Sequence, residues 1–310
     1  MANCCSLTVA NTGFGCTPLM EVVEKFIEVS YLDGDGAINA IDITDAFNLA
    51  YFVALANQAD DDLKWYPLPF VKNMVDERTD ADFETFDDNT KIERQIGIRS
   101  VSCMITPEGR NGGAVSPTML GKINDKKCKV SGFYGITKSK QLVGEEITDG
   151  YLSPIRVDNG SINAKLVKTG SGATVQKISL SFDWHIDVQD SRLRTIEVAD
   201  LGTDLSLLKG LLDVSHVVSG IIATQFVSKM NTEYGDMLNP VVVEGLLAGD
   251  MALYNVTTSG AVAITSAVES PAGSYTVVYA AQTAADVLRL TVTKNGYNFA
   301  AVTAATVIAV

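Results

Sequence analysis

The sequence has few of the residues that carry out catalysis. Only His185 and His216 are histidines among its 310 residues, which leaves little for acid–base or nucleophilic chemistry. The five cysteines are an odd number without a pairing framework, as expected for a protein of a reducing compartment. No arrangement of residues indicates an active site, so we expect a protein that is not an enzyme.

Positive charge is also scarce. The chain has 24 Lys and Arg residues against 37 Asp and Glu residues, a formal charge of −13. Its basic runs are no longer than Lys126-Lys127 or Lys138-Ser139-Lys140. An outward-facing nucleic-acid reader normally carries a basic stripe, so that function is disfavoured. A wall that lets DNA pass without binding it would instead be acidic or neutral.

Long apolar runs are missing near both ends. The N-terminus shows neither the positive region nor the apolar run of a signal peptide. Near the other end, Phe299 to Val310 is shorter than the roughly 18 residues that a membrane span needs. We therefore expect a protein that is made in the cytosol and does not contact a membrane.

One stretch, residues 177 to 189, alternates apolar and polar side chains without a break. This period of two predicts a β-strand, which at about 3.3 Å per residue would span roughly 40 Å and needs a large sheet or barrel around it. A short helix around Leu120 is expected to cover its apolar face. That face, which we assign to the core, consists of Ile178, Leu180, Phe182, Trp184, Ile186 and Val188.

The patterns along the chain predict three parts and a mainly β fold class. Residues 1–79 indicate an arm, a hairpin and a helix. Residues 80–212 contain about eight predicted strands and one helix, which fits a β-barrel or sandwich with a flanking helix. Residues 213–310 are rich in Val, Ala, Thr, Gly and Ser, with short strands at regular spacing. This spacing predicts an immunoglobulin-like β-sandwich of the type without a disulfide.

The sharpest motif is the turn Asp33-Gly34-Asp35-Gly36. Aligned on Gly36 as the sixth position of a calcium loop, it offers four oxygen ligands and an apolar residue at the eighth position, and it resembles half of a dockerin repeat. Tyr31 at position one and Asp42 at position twelve depart from that pattern, and a hairpin tip explains the same residues. The motif is a weak metal candidate, formed by Asp33, Asp35, Asn39 and Asp42.

Two further groups contain metal-binding residue types. Asp183, His185 and Asp187 form a row on the polar face of the predicted strand, but spacing of i, i+2 alone does not close a coordination sphere. A solvated strand face explains the row better. The cysteines at positions 4, 5 and 16 have no partner histidines, and reduced thiols buried at a subunit contact explain them. We therefore expect no cofactor.

The order of features resembles the structural proteins of tailed bacteriophages, particularly those that infect Bacteroidetes. None of the segments that carry the resemblance is a catalytic motif, and together they span most of the chain. They are AYFVALANQA (50–59) with WYPLP (65–69), FETF (83–86) with GIRS (97–100), VQKI (175–178) with FDW (182–184), and the C-terminal immunoglobulin-like part.

Among virion proteins, the β-rich part with one flanking helix looks like the tail-tube fold. The resemblance implies hexameric rings that stack into a tube with a β-barrel as inner wall, bridged by long loops and an N-terminal arm. It implies that Asp183, His185 and Asp187 face the lumen, where DNA passes without specific binding. The implied partners are further copies of the chain and other virion proteins, and the location is the virion.

A capsid decoration or head-fibre protein with an immunoglobulin-like outer domain is the alternative function. The two functions differ in assembly, because a tube subunit forms rings and a fibre or decoration protein forms a discrete small oligomer. A major capsid protein is disfavoured, because no predicted helix exceeds about 16 residues.

Overall fold

The computed structural model describes residues 22–58, 60–80, 82–95, 97–105, 117–167, 177–235, 240–305 and 308–309. Strands make up 48% and helices 14% of the structure, so the predicted mainly β class is confirmed. In the described part of the chain, no helix combines the length and the apolar composition that crossing a membrane requires.

The elements follow one another along the chain as short strands with few helices. Up to residue 201 they are β1 (Val23–Ser30), β2 (Ile41–Asp42), α1 (Leu49–Ala56), β3 (Trp65–Pro67), β4 (Val71–Arg78), β5 (Asp82–Thr85), β6 (Lys91–Gln95), β7 (Arg99–Ile105), α2 (Pro117–Asp125), β8 (Ser131–Thr137), β9 (Leu142–Glu145), β10 (Tyr151–Leu152), β11 (Ile155–Arg156), β12 (Asn163–Val167), β13 (Lys177–Asp183), β14 (Leu193–Ile196) and α3 (Val198–Leu201). After residue 201 they are β15 (Leu212–Ile222), β16 (Gln225–Gly235), β17 (Pro240–Val242), β18 (Met251–Asn255), β19 (Gly260–Val262), β20 (Ile264–Glu269), β21 (Ser274–Tyr279), β22 (Val287–Val292), β23 (Tyr297–Asn298), α4 (Ala300–Ala305) and β24 (Ile308–Ala309).

Two compact units make up the chain, and neither is a single continuous segment. The first contains the residues up to Ile27 together with Ile38–Ala46 and Pro69–Asp204. The second contains Glu28–Ala37, Phe47–Leu68 and the chain from Leu205 onward. The bounds of the units differ from those of the three predicted parts, because segments of the first 79 residues belong to both units.

The first unit has two antiparallel sheets that share one core. One sheet has the order β14-β9-β8-β1, with β11 also paired to β8, and the other has the order β12-β13-β7-β4. Three buried phenylalanines join them. The rings of Phe26 and Phe133 lie 5.6 and 4.7 Å from the ring of Phe182, between centroids. The apolar face of β13 therefore packs against β1 and β8.

The helix α2 lies elsewhere than predicted. It contacts β12, the edge strand of the second sheet, where the Asn124 amide accepts from Ala164 N at 2.9 Å and donates to Ala164 O at 3.1 Å. The expectation that the helix around Leu120 covers the apolar face of β13 is wrong, because Phe26 and Phe133 cover that face. The Asn124 amide instead satisfies backbone groups at a sheet edge that would otherwise invite another strand.

The long predicted strand is shorter in the structure. β13 ends at Asp183, and a turn follows in which Val188 N donates to His185 O. The prediction of a strand to Gln189 is wrong, and so is the core assignment of Ile186, which is 65% exposed. The assignment of the other members of the apolar face to the core is confirmed, since each is at most 7% exposed: Ile178, Leu180, Phe182, Trp184 and Val188.

The second unit also builds its core between two sheets. One has the order β20-β21-β16-β15-β23, with β17 on β16, and the other has the order β19-β18-β22-β24. Both contribute buried side chains to one cluster, among them Phe226, Tyr275, Leu253 and Leu290. In the same unit, the buried Lys64 donates to Asn298 Oδ1 at 2.6 Å, which ties the segment around β3 to a residue 234 positions away.

Candidate assembly surface

Within the first unit, the chain between β4 and β7 forms a hairpin of its own. β4 and β7 pair from Val71 and Ile105 to Arg78 and Arg99. At the far end of this ladder, the Arg99 guanidinium donates to both carboxylate oxygens of Asp76 at 2.7 Å. Because a bidentate arginine–carboxylate pair fixes both distance and orientation, it holds the two strands in register where they leave the sheet.

A close backbone approach marks the start of the hairpin's outer part. Thr79 N donates to Ile98 O at 2.9 Å, and Ile98 N donates to Thr79 Oγ1 at 2.9 Å. Next to this pair, a Cβ atom on Gly97 would lie 1.8 Å from Thr79 O. Only glycine therefore permits the two strands to pass each other at this point.

The outer part, which we call the distal hairpin (residues 82–95), is a sheet in which β5 and β6 pair with no other strand of the described residues. Both strands lie in residues 80–212, the part of the chain for which the sequence predicts about eight strands. Its tip is closed by Phe86 N donating to Thr90 O and by Thr90 N and Oγ1 donating to the Asp88 carboxylate. These bonds favour the ionised carboxylate and lower the pKa of Asp88.

Apolar side chains lie on both faces of the distal hairpin. Phe83 pairs with Glu93, and Ile92 pairs with Glu84, so strand alternation places Phe83 on one face and Ile92 and Phe86 on the other. Their exposed fractions are 52%, 58% and 45%. A hairpin of two strands is marginally stable alone in water, and an exposed apolar cluster of this kind is typical of a binding surface.

The distal hairpin and the residues just before it are strongly acidic. Between Asp80 and Asp88 the sequence has five carboxylates and no basic residue: Asp80, Asp82, Glu84, Asp87 and Asp88. The side chains of Asp80, Glu84, Asp87 and Asp88 are exposed. The hairpin thus presents an apolar surface bordered by negative charge.

A surface of the opposite sign lies on α2 and the short 3₁₀ turn Lys126–Cys128, which we call the basic patch (residues 119–129). Residues 122 to 129 carry four lysines and one aspartate. Lys127 and Lys129 are exposed, and Cys128 between them is exposed as well. The half-buried Met119 lies three residues before Lys122, on the same helix face, and adds apolar surface to the patch. In the sequence only the short run Lys126-Lys127 stands out, because other residues separate it from Lys122 and Lys129.

The structure does not place the row Asp183, His185 and Asp187 on one strand face. Asp183 ends β13 and accepts from Ser100 Oγ at 2.6 Å. The other two lie in the turn that follows, where Asp187 N donates to His185 Nδ1 at 3.2 Å. Asp187 is exposed, and its carboxylate lies 3.7 Å from the Arg156 guanidinium. Only Asp183 therefore belongs to the strand.

The candidate calcium loop is used for turn geometry. The Asp33 carboxylate accepts from Asp35 N at 3.0 Å and from Ala37 N at 2.8 Å. The Asp42 carboxylate accepts from Thr44 N and Oγ1, and these bonds lower the pKa of Asp42. Asp33 and Asp35 belong to the second unit, whereas Asn39 and Asp42 belong to the first.

Other metal-binding or nucleophilic side chains are not gathered into a site. Among the described residues, no three His, Cys, Asp or Glu side chains converge as metal ligands would. Burial raises the pKa of the Cys103 thiol to about 12, so it is a buried, inert thiol. Nδ1 of His216 lies 3.2 Å from Oγ of the buried Ser228, and burial lowers the pKa of the imidazole. The cysteines at positions 4, 5 and 16 lie outside the described residues.

Comparisons with known proteins returned no similarity. No protein-family model matches the sequence, no curated protein matches it, and no solved structure matches the chain. The function must therefore be inferred from the surfaces described above.

Proposed function

We propose that this protein is a structural protein of a tailed bacteriophage virion and that it assembles with copies of itself as a tail-tube subunit. The first unit supports this proposal through its two-sheet β core, the helix α2 at a sheet edge and the long hairpin that leaves the core. The resemblance to tail-tube proteins implies a β-rich core with one flanking helix, and long loops that bridge rings. The tube serves as a conduit for DNA and has no catalytic activity.

The second unit supports an outer immunoglobulin-like domain. Its two sheets share one apolar core, as in an immunoglobulin-like sandwich. The resemblance implies that a domain of this kind lies outside the tube and that six copies of the chain form each ring of the conduit. The net charge of −13 suits a conduit, because DNA then passes without binding to its wall.

We propose that the turn after β13 lies at the inner wall of the tube. Asp183 and Asp187 would contribute negative charge to the inner wall, and the half-buried His185 lies between them in sequence. Other virion proteins would bind at the ends of the tube, and the protein would be synthesised in the cytoplasm of the bacterial host.

The distal hairpin is the observation that carries the proposal. It leaves Phe83, Phe86 and Ile92 about half exposed, on a two-stranded sheet that no third strand extends within the described residues. Such a surface becomes stable when another protein molecule covers it. A protein whose function is to assemble with copies of itself explains this exposure.

Electron microscopy of the purified protein, together with its mass from light scattering, tests the proposal. Rings or tubes with a hollow core of the width of duplex DNA are the expected result. A monodisperse monomer or trimer over the accessible concentration range would overturn the proposal. The trimer would direct attention to the decoration or fibre alternative.

A further inference from the structure

We propose that the distal hairpin of one copy binds the basic patch of the next copy. This inference rests on the proposed self-assembly and identifies the two surfaces that make the contact. The occupant of the hairpin is a second copy of this chain, because the chain itself carries a surface of complementary charge and mixed apolar character. Both surfaces belong to the first unit.

The distal hairpin and the basic patch carry charges of opposite sign. The segment from Asp80 to Asp88 carries five negative charges, and the segment from Lys122 to Lys129 carries four positive charges and one negative charge. In a chain with 13 more acidic than basic residues, such a concentration of lysines is a local exception. Complementary charges of this kind steer two surfaces toward each other and disfavour wrong partners.

The apolar side chains supply the second argument. The patch offers the half-buried Met119 and Leu120 beside its lysines, and lysine stems themselves cover apolar surface while their ammonium groups stay in water. A Phe83 or Phe86 ring placed there would lose contact with water. Burying apolar surface stabilises association. The charges therefore orient the two surfaces, and the buried aromatic rings stabilise the contact.

The proposed contact joins two different surfaces, so it is heterologous. Every added copy then leaves one hairpin and one patch unoccupied at the ends of the growing assembly. Such contacts close into rings when the rotation between copies allows it and otherwise continue as filaments. The inference therefore predicts assemblies larger than a dimer.

Charge reversal with rescue tests the inference in the full-length chain. The hairpin variant is D80K/D87K, which leaves the Asp88 turn intact, and the patch variant is K127E/K129E. The control is D149K/D200K, which reverses two exposed carboxylates of the same unit outside the hairpin. Circular dichroism and thermal melting establish that each variant is folded, and light scattering measures its assembly.

The expected result is that each reversal alone abolishes assembly, that the control assembles like the wild type, and that the chain with both reversals assembles again. Assembly of the wild type should also weaken as salt is raised, because exposed charges are screened beyond a Debye length of about 8–10 Å.

Three outcomes would overturn the inference. If the wild type assembles and neither reversal affects it, the contact is elsewhere although self-assembly stands. If the patch variant assembles normally but loses affinity for duplex DNA, the lysines serve nucleic acid. If the wild type does not assemble at all, both the inference and the proposed function fail.

Discussion

At the scale of single residues, Phe182 joins the two sheets of the first unit. It extends from β13 to the rings of Phe26 and Phe133, and its side chain is buried. Four residues later, Ile186 continues the apolar pattern of the sequence but is exposed. The two residues look alike in the sequence and differ in the structure.

Replacing Phe182 with alanine should therefore be costly, and replacing Ile186 with alanine should not. A large-to-small change in a packed core costs about 3–5 kcal/mol, whereas an exposed apolar side chain contributes within about 0.5 kcal/mol. Urea denaturation of F182A and I186A measures both. Equal losses of stability would contradict the strand end at Asp183 and support a strand that continues to Gln189.

Glu145 is a second residue that affects stability, because its carboxyl group is buried. Its side chain is 2% exposed, and burial raises the pKa of the carboxyl group above the ordinary value of 4.5. Gln189 N donates to Glu145 Oε1 at 3.5 Å, and the Arg192 guanidinium lies 3.9 Å away. These contacts only partly compensate for burying the charge.

The raised pKa fixes how stability depends on pH. Between the unfolded value near 4.5 and the raised folded value, the folded state binds more protons, so the free energy of unfolding falls as the pH rises through this window. The variant E145Q keeps an acceptor for Gln189 N and removes the titration. It should lose less stability than the wild type between pH 4.5 and neutrality. Identical pH profiles would refute this account of Glu145.

At the scale of elements, the sequence predicts a strand correctly where apolar and polar residues alternate along it. The alternation over Lys177 to Asp183 and the strands of the distal hairpin belong to this class. Tertiary bonds ended the long strand, since His185 N donates to Arg156 O and the chain turns there. The periodicity of apolar residues does not reveal a bond between residues that are distant in the sequence. The bond from Lys64 to Asn298 is a second example.

Gly97, where the distal hairpin joins β7, allows a test of what the position of the hairpin contributes to assembly. In G97A the new methyl group would collide with Thr79 O, so the strands must separate where the hairpin begins. We expect G97A to lose assembly while keeping the core, because Phe182 and its neighbours lie on the sheets and not in the hairpin. The matched control is G249A, where a Cβ atom meets nothing within 4 Å.

Light scattering and thermal melting separate the two effects of G97A. A melting temperature close to that of the wild type with assembly lost is the expected pair of results. Normal assembly of G97A would mean that the position of the distal hairpin does not matter for the contact between copies.

At the scale of the whole molecule, the proposed function rests on a resemblance in the sequence, and the surfaces proposed to make the contact come from the structure. The sequence pattern of the acidic hairpin predicts strands but does not distinguish strands of a core from strands of an exposed hairpin. The basic patch does not stand out in the sequence, because its lysines are interrupted at Ile123, Asn124, Asp125 and Cys128. Exposure, which a sequence pattern does not report, is what distinguishes the hairpin from a core strand.

The central claim is that copies of this chain assemble through the hairpin of one and the patch of the next. Cys128 is exposed within the patch, so the variant D87C places a thiol on the hairpin that faces Cys128 of the neighbouring copy in the proposed contact. We would treat D87C with a short bismaleimide and separate the products by denaturing electrophoresis. All chains in this experiment carry C4S/C5S/C16S, which removes the other thiols that could react at a subunit contact. That background chain and its D87C/C128S variant, each lacking one of the two thiols, are the controls.

We expect a ladder of covalent multimers that extends beyond the dimer in D87C and is absent from both controls. The ladder extends because each copy has one hairpin and one patch to engage. A ladder that persists in D87C/C128S, a dimer as the only product, or no cross-linked product at concentrations where the wild type assembles would contradict the claim.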